Sequence, residues 1–280
     1  MKQLHSFASL LTKGLLLAGI ALVVPACSQR EEVQPDLSTR SESAAKTEKT
    51  FYGPAVPLGQ GVGRAWVTVN AAGTPTAMGV DISARSVAAQ GTAPTEHTFR
   101  LPQQVAVPPF DHIEIGWNPN GHEPNNIYTL PHFDLHFYMI TEAFQATIPF
   151  LAPVVNGAPV FDLFPAPGYL PVAYQMGPGL VPNMGAHSVD VLAPEFNGGV
   201  FSKTFIYGSY QGHITFLEPM FTLDYLTSLN NQTSFNPIPI RPPQYVERAG
   251  YYPTSYTISY DDSPEQYRIS LNNLVYRLAR

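Results

Sequence analysis

Four of the chain's eight histidines, His112, His122, His132 and His136, fall within 25 residues, where an even spread would place fewer than one. The centre of this cluster is Pro131-His132-Phe133-Asp134-Leu135-His136-Phe137-Tyr138. Read as a β-strand, it directs His132, Asp134 and His136 to one face and Phe133, Leu135 and Phe137 to the other, because successive side chains alternate. Two imidazoles and a carboxylate side by side suit a divalent transition ion such as zinc. With no thiolate in the set, an open site is favoured over a closed structural one. Two other chemistries compete: a polar patch in which Asp134 accepts hydrogen bonds from its neighbours, and metal-free acid–base work by an imidazole–carboxylate pair.

Spacing limits what these residues do together. At about 3.3 Å per residue, His132 and His136 stand about 13 Å apart along a strand, whereas each lies about 6.6 Å from Asp134. All three share one ion only if the strand bends or bulges. In a helix, His132 and His136 would be i,i+4 partners and good co-ligands, but strict alternation and the aromatics favour the strand. Further ligands must come from elsewhere. His122, in a loop rich in Gly, Pro and Asn, and His187, after Met184-Gly185-Ala186, are the candidates, with Glu123 behind them. The site expected is therefore one ion on His132 and His136, joined by His122 or His187, with Asp134 as ligand or as the group that orients one. His112 is expected at the surface, and His213 and His97 outside the site.

Other motifs fail on context. Gly59-Gln60-Gly61-Val62-Gly63 precedes a strand instead of joining a strand to a helix, which argues against nucleotide binding. Gly208-Ser209-Tyr210-Gln211-Gly212 puts its serine in the wrong place for a nucleophile elbow. His122-Glu123-Pro124 begins like a zincin motif, but Pro124 breaks the helix which that motif needs.

The elements that must position these residues are mostly strands. Period-2 runs occur at Arg64 to Asn70, Ala77 to Ser83, Asp111 to Trp117, His132 to Met139, Lys203 to Tyr210, His213 to Met220, Ser255 to Tyr260 and Tyr267 to Leu271. Asn70-Ala71-Ala72-Gly73 and Gln211-Gly212 read as hairpin turns. Helical windows are short, at Thr141 to Ile148 and Thr222 to Leu229. The stretch from Pro149 to Pro182 holds eight prolines and reads as a long irregular loop packed across a face or serving function. The fold expected is mainly β: a single antiparallel sandwich or barrel-like domain over residues 51–280 with a few short helices.

The N-terminus has the order of an export signal. Lys2 and Lys13 precede an uncharged run of 11 residues, Gly14 to Val24, then Pro25-Ala26-Cys27. A membrane-spanning helix needs about 20 apolar residues, so the run suits a cleaved signal over residues 1–26. Val24-Pro25-Ala26-Cys27 resembles a lipobox, which makes Cys27, the chain's one cysteine, the lipidation site. Residues 27–50 then read as the lipidated cysteine and a disordered tether, polar and free of aromatics. A lipid-anchored envelope protein follows, at the outer membrane if the cell has two, since Ser28 replaces the Asp of inner-membrane retention. Cleavage leaves 13 basic against 21 acidic side chains, which argues against nucleic acid as a partner. The membrane is the expected partner, through the anchor, and the aromatic content leaves room for a homo-oligomer.

In Asp111-His112 with Trp117-Asn118-Pro119, Gly121-His122-Glu123-Pro124, Pro131 to Tyr138, Met184-Gly185-Ala186-His187, Phe205 to Tyr210 and Thr215-Phe216-Leu217-Glu218-Pro219-Met220, the chain resembles an uncharacterised family of exported bacterial proteins, a domain of unknown function. The resemblance spans about residues 51–275. It implies an envelope location and no established activity, and it singles out His122, His132, His136 and His187. Ser188 stands where an aromatic is the family pattern. Two functions compete on this reading: a metal-binding or structural module of the envelope, and a metal-dependent hydrolase or lyase with Asp134 or Glu123 handling the proton.

Overall fold

The computed structural model describes residues 48–280; the signal and nearly all of the tether expected at the N-terminus lie outside the described residues. The chain runs through β1 (Lys49–Leu58), β2 (Gly61–Val69), β3 (Pro75–Ser83), helix α1 (Ala84–Ala88), β4 (Thr95–Arg100), β5 (His112–Asn118) and β6 (His132–Tyr138). Helix α2 (Glu142–Gln145) leads into the proline-rich stretch, which holds β7 (Val154–Val155), β8 (Ala158–Pro159) and β9 (Tyr174–Met176). Then come β10 (Ala186–Asp190), β11 (Lys203–Tyr210), β12 (His213–Thr222), α3 (Leu223–Ser228), β13 (Ile238–Pro239), β14 (Gly250–Tyr252), β15 (Ser255–Asp262), β16 (Glu265–Asn272) and β17 (Val275–Arg277).

Two antiparallel sheets form the body: six strands in the order β1-β2-β3-β16-β15-β13 and seven in the order β4-β5-β6-β12-β11-β10-β9. They are not closed into a barrel; the fold is a sandwich. The two hairpins expected from turn chemistry are present as β2–β3 and β11–β12, and the two C-terminal alternating runs pair as the hairpin β15–β16. Gln211 and Gly212 both take positive φ, as a two-residue turn of primed type requires. Strand β1 starts at Lys49, two residues inside the expected tether, because Thr50 and Phe51 pair with Thr68 and Val67. Helix α1 was not foreseen. The other two short helices are, and each is capped by a threonine, Thr141 or Thr222, whose side chain accepts a backbone N–H.

The core lies between the sheets. Ile113, Ile115, Trp117, Phe133, Leu135, Phe137, Leu217 and Phe221 meet Val67, Met78, Val80, Ile82, Ile258, Ile269 and Leu271 in one apolar cluster. Fully burying side chains of this size contributes about 1.5–3 kcal/mol each. On the outer face of the six-stranded sheet, Arg268 clamps Asp81 with two bonds of 2.7 Å, and the Trp66 indole donates to the same carboxylate.

Strand β6 sits near the centre of its sheet, between β5 and β12, and every one of its seven residues is buried. Its apolar side faces the core, as alternation predicts. Its polar side, which a simple sandwich would leave in water, is covered by loops. Two small apolar clusters flank the polar row there. Tyr128, Phe201, Ile206 and Met220 form one; Tyr138, Ile140, Ile148 and Phe216 form the other.

Candidate metal centre

The covered row divides into two groups. His122, His132 and Asp134 make one, and His136, His187 and Glu218 make the other; within each, the donor atoms lie within 4.8 Å of one another. Either group could hold a metal ion. The expected meeting of His132 with His136 does not occur. β6 stays extended through both residues and pairs regularly with β5, so nothing closes the distance that strand geometry sets between them.

In the first group, His132 and Asp134 are neighbours on β6, and His122 arrives from the loop before it. That loop folds back on itself: the His122 N–H donates to the Tyr128 carbonyl, and Ile127 and Tyr128 donate to that of Pro124. Gly121 takes a φ of 66° where a Cβ would collide with the backbone of Tyr128 and Thr129, so the turn needs glycine. His122 Nε2 lies 3.4 Å from one Asp134 oxygen and His132 Nε2 lies 3.2 Å from the other. The other ring nitrogens are held by backbone: Nδ1 of His132 donates to the Leu130 carbonyl at 2.7 Å, and Nδ1 of His122 to that of Glu123 at 2.6 Å.

These bonds decide the tautomers. A carbonyl only accepts, so the proton sits on Nδ1, and each neutral ring turns the Nε2 lone pair toward Asp134. Acceptor then faces acceptor. Nε2 of His132 and Oδ1 of Asp134 are both buried without a hydrogen-bond partner, and each such atom costs about 1–3 kcal/mol. A proton on His122 relieves one contact; one divalent ion among the three donors relieves all of them. Backbone carbonyls on the far nitrogens are the arrangement that fixes metal-binding histidines. Asn118, opposite His132 in the register, donates to Oδ2 of Asp134 at 2.7 Å and orients it.

In the second group, Glu218 of β12 stands across from His136 of β6, with Oε1 3.6 Å from Nε2, and His187 Nε2 lies 3.8 Å from Oε2. His187 comes from β10, where it pairs with Gly208. A Cβ on Gly208 would sit inside the ring of Phe216. The missing side chain lets that ring lie between His136 and His187, 4.8 and 5.3 Å from them.

Electrostatics favour cations here. No Lys or Arg occurs between Arg100 and Lys203, a stretch that supplies every donor except Glu218. Burial pushes the His136 imidazole down to about 3 and that of His187 down to about 4, so both rings are neutral and ready to ligate at neutral pH. Burial would raise the Asp134 carboxyl, but the His122 and His132 rings facing it favour the charged form and together hold the group well below the usual carboxylate range. Burial, reinforced by the Asp134 charge, raises Glu218 well above its ordinary value. Burial lowers His122, but the nearby Asp134 carboxylate, the Glu123 carbonyl and the Glu123 charge together raise it above its ordinary value. His122 and His187 are also the members that reach solvent, their side chains 38 and 23% exposed.

Glu123 offers the group its backbone carbonyl, and its side chain points to solvent. His112 is a correction: it lies on the outer face as alternation requires, yet it is buried. It stacks on Tyr138 and bonds Asp111 and Gln145, because α2 brings Gln145 over it. His213 is exposed and paired with Glu247, outside the site as expected. Glu218 was not foreseen among the donors. Its signal was there: a single carboxylate in the otherwise apolar run Phe216-Leu217-Glu218-Pro219-Met220-Phe221, a buried charge that needs a partner.

No family model, curated protein or solved structure matches this chain.

Proposed function

We propose that this protein is a lipid-anchored component of the bacterial cell envelope whose β-sandwich binds a divalent transition ion, zinc or a close relative, through His122, His132 and Asp134. One observation carries the metal reading: two imidazoles, locked by backbone carbonyls, aim bare Nε2 atoms at one buried carboxylate. Their separations also suit an ion. Ligands at about 2.0–2.1 Å from a tetrahedral zinc stand about 3.3 Å from one another, beside the 3.2 and 3.4 Å found here. Oxygen-seeking Ca²⁺ and Mg²⁺ fit poorly, since two of the three donors are nitrogen. The anchor reading rests on the order Lys2, Lys13, apolar run, Cys27.

The test is elemental analysis of the purified full-length chain after zinc loading and removal of free metal. Zinc bound by wild type, with one equivalent lost in His132→Ala and none lost in His213→Ala, supports the reading; metal-free wild type overturns it. A metal-dependent hydrolase or lyase is the second reading. It is favoured by the donor set, because two histidines and one carboxylate leave a coordination position for water or substrate, and by the partial exposure of His122.

A further inference from the structure

We propose that His136, His187 and Glu218 hold a second divalent transition ion, so that the outer face of the seven-stranded sheet carries a two-ion centre. This extends the reading above and shares its premise that the polar row binds metal, but its support comes from different atoms. Three strands, β6, β10 and β12, bring one donor each to within 4.8 Å of the others. Neither ring nitrogen of His136 has a hydrogen-bond partner, nor does Oε2 of Glu218, and all three atoms are buried.

A histidine kept for packing does better on this same face. His112, equally buried, bonds through both nitrogens at 2.9 Å. His136 is left bare on both, beside a carboxylate. The separations of 3.6 and 3.8 Å are too long for good hydrogen bonds. They are close to the roughly 3.3 Å between two ligands of one tetrahedral ion, which a small side-chain rotation would reach.

One ion cannot serve both groups. Oδ1 of Asp134 faces His132, Oδ2 faces His122 and Asn118, and no oxygen is left for His136. The extended strand keeps His132 and His136 about 13 Å apart at the backbone. Two nitrogens and one carboxylate again select a transition ion such as zinc, cobalt(II) or iron(II), with an open position on the side of His187.

The experiment titrates the purified, metal-free full-length chain with cobalt(II), following the visible absorption that reports its coordination, and counts bound metal by elemental analysis. Wild type should take two equivalents. Glu218→Gln and His187→Ala should each take one, with the absorption of the first ion kept; His122→Ala should take one and lose that absorption instead. His187→Ala changes a partly exposed position, so it remains informative if Glu218→Gln fails to fold. One equivalent in wild type, sensitive only to changes at His122, His132 or Asp134, overturns the second ion and leaves the first standing. One equivalent weakened by changes in either group means a shared ion and also overturns it. No metal at all sinks both readings.

Discussion

Nε2 of His132 lies 3.2 Å from Oδ1 of Asp134 while its Nδ1 is tied to the carbonyl of Leu130, so a bare imidazole nitrogen faces a carboxylate in a buried site. The pair is poorly satisfied without a cation. The first prediction follows from linkage. An ion that binds only the folded chain stabilises it by about 2.7 kcal/mol at a hundredfold excess over Kd. In a domain of this size that is a rise in Tm of roughly 5–10 °C. Calorimetry with zinc and with chelator should show the difference, and His132→Ala should remove the share that the first group's ion contributes.

Asp134→Asn should separate stability from binding. The amide oxygen can still accept from Asn118, and the new N–H₂ can donate to Nε2 of His132, so one unpartnered contact becomes a hydrogen bond. In chelator the variant should therefore melt at or above the wild-type temperature. In zinc it should fall behind, because the first group loses its anionic ligand. A variant destabilised in chelator by more than about 2 kcal/mol would contradict this account of the pair.

The metal-free protein should lose stability as pH falls below about 6.5. His136 and His187 have folded values depressed to about 3 and 4 by burial, so the unfolded chain takes up two protons at their ordinary 6.5 that the folded chain refuses. Glu218, raised by burial, works the other way: the folded chain keeps a proton there that the unfolded chain releases above 4.5. Glu114, also raised by burial, adds to that offset at the lower end of the window. His122 is raised, so its contribution lies above pH 6.5 and is already complete below it. Each proton of difference is worth about 1.4 kcal/mol per pH unit. Urea melts in chelator should show His187→Gln with a shallower pH slope than wild type and Glu218→Gln with a steeper one, each by about one proton.

Gly208→Ala tests the packing beneath the second group. The new methyl would overlap the Phe216 ring, which touches both His136 and His187. Overpacking of this kind costs about 1–3 kcal/mol, to be read from urea denaturation. Zinc bound through His122, His132 and Asp134 should remain, since none of them touches that ring.

The anchor is tested by labelling cells with a palmitate analogue. Wild type should be labelled and found with membranes, while Cys27→Ser should be unlabelled. Equal labelling of the two would remove the lipoprotein reading.

Much of this molecule is local and therefore legible in the chain. Alternation in His132-Phe133-Asp134-Leu135-His136-Phe137 sets which side chains share a face, because a strand has a period of two wherever it ends up. The hairpins at Gly73 and at Gln211-Gly212 are set by residues that take positive φ within the turn. The donor types, imidazole and carboxylate, are likewise readable from residue identity alone. What alternation cannot tell is what lies across the sheet and what lies over it. That Glu218 faces His136 depends on the register between β12 and β6, a pairing of distant segments. That His112 is buried depends on α2 laying Gln145 on top of it. The division of four histidines between two groups has the same origin: strand geometry separates His132 from His136, and only tertiary packing decides that the loop of His122 serves the first and β10 serves the second.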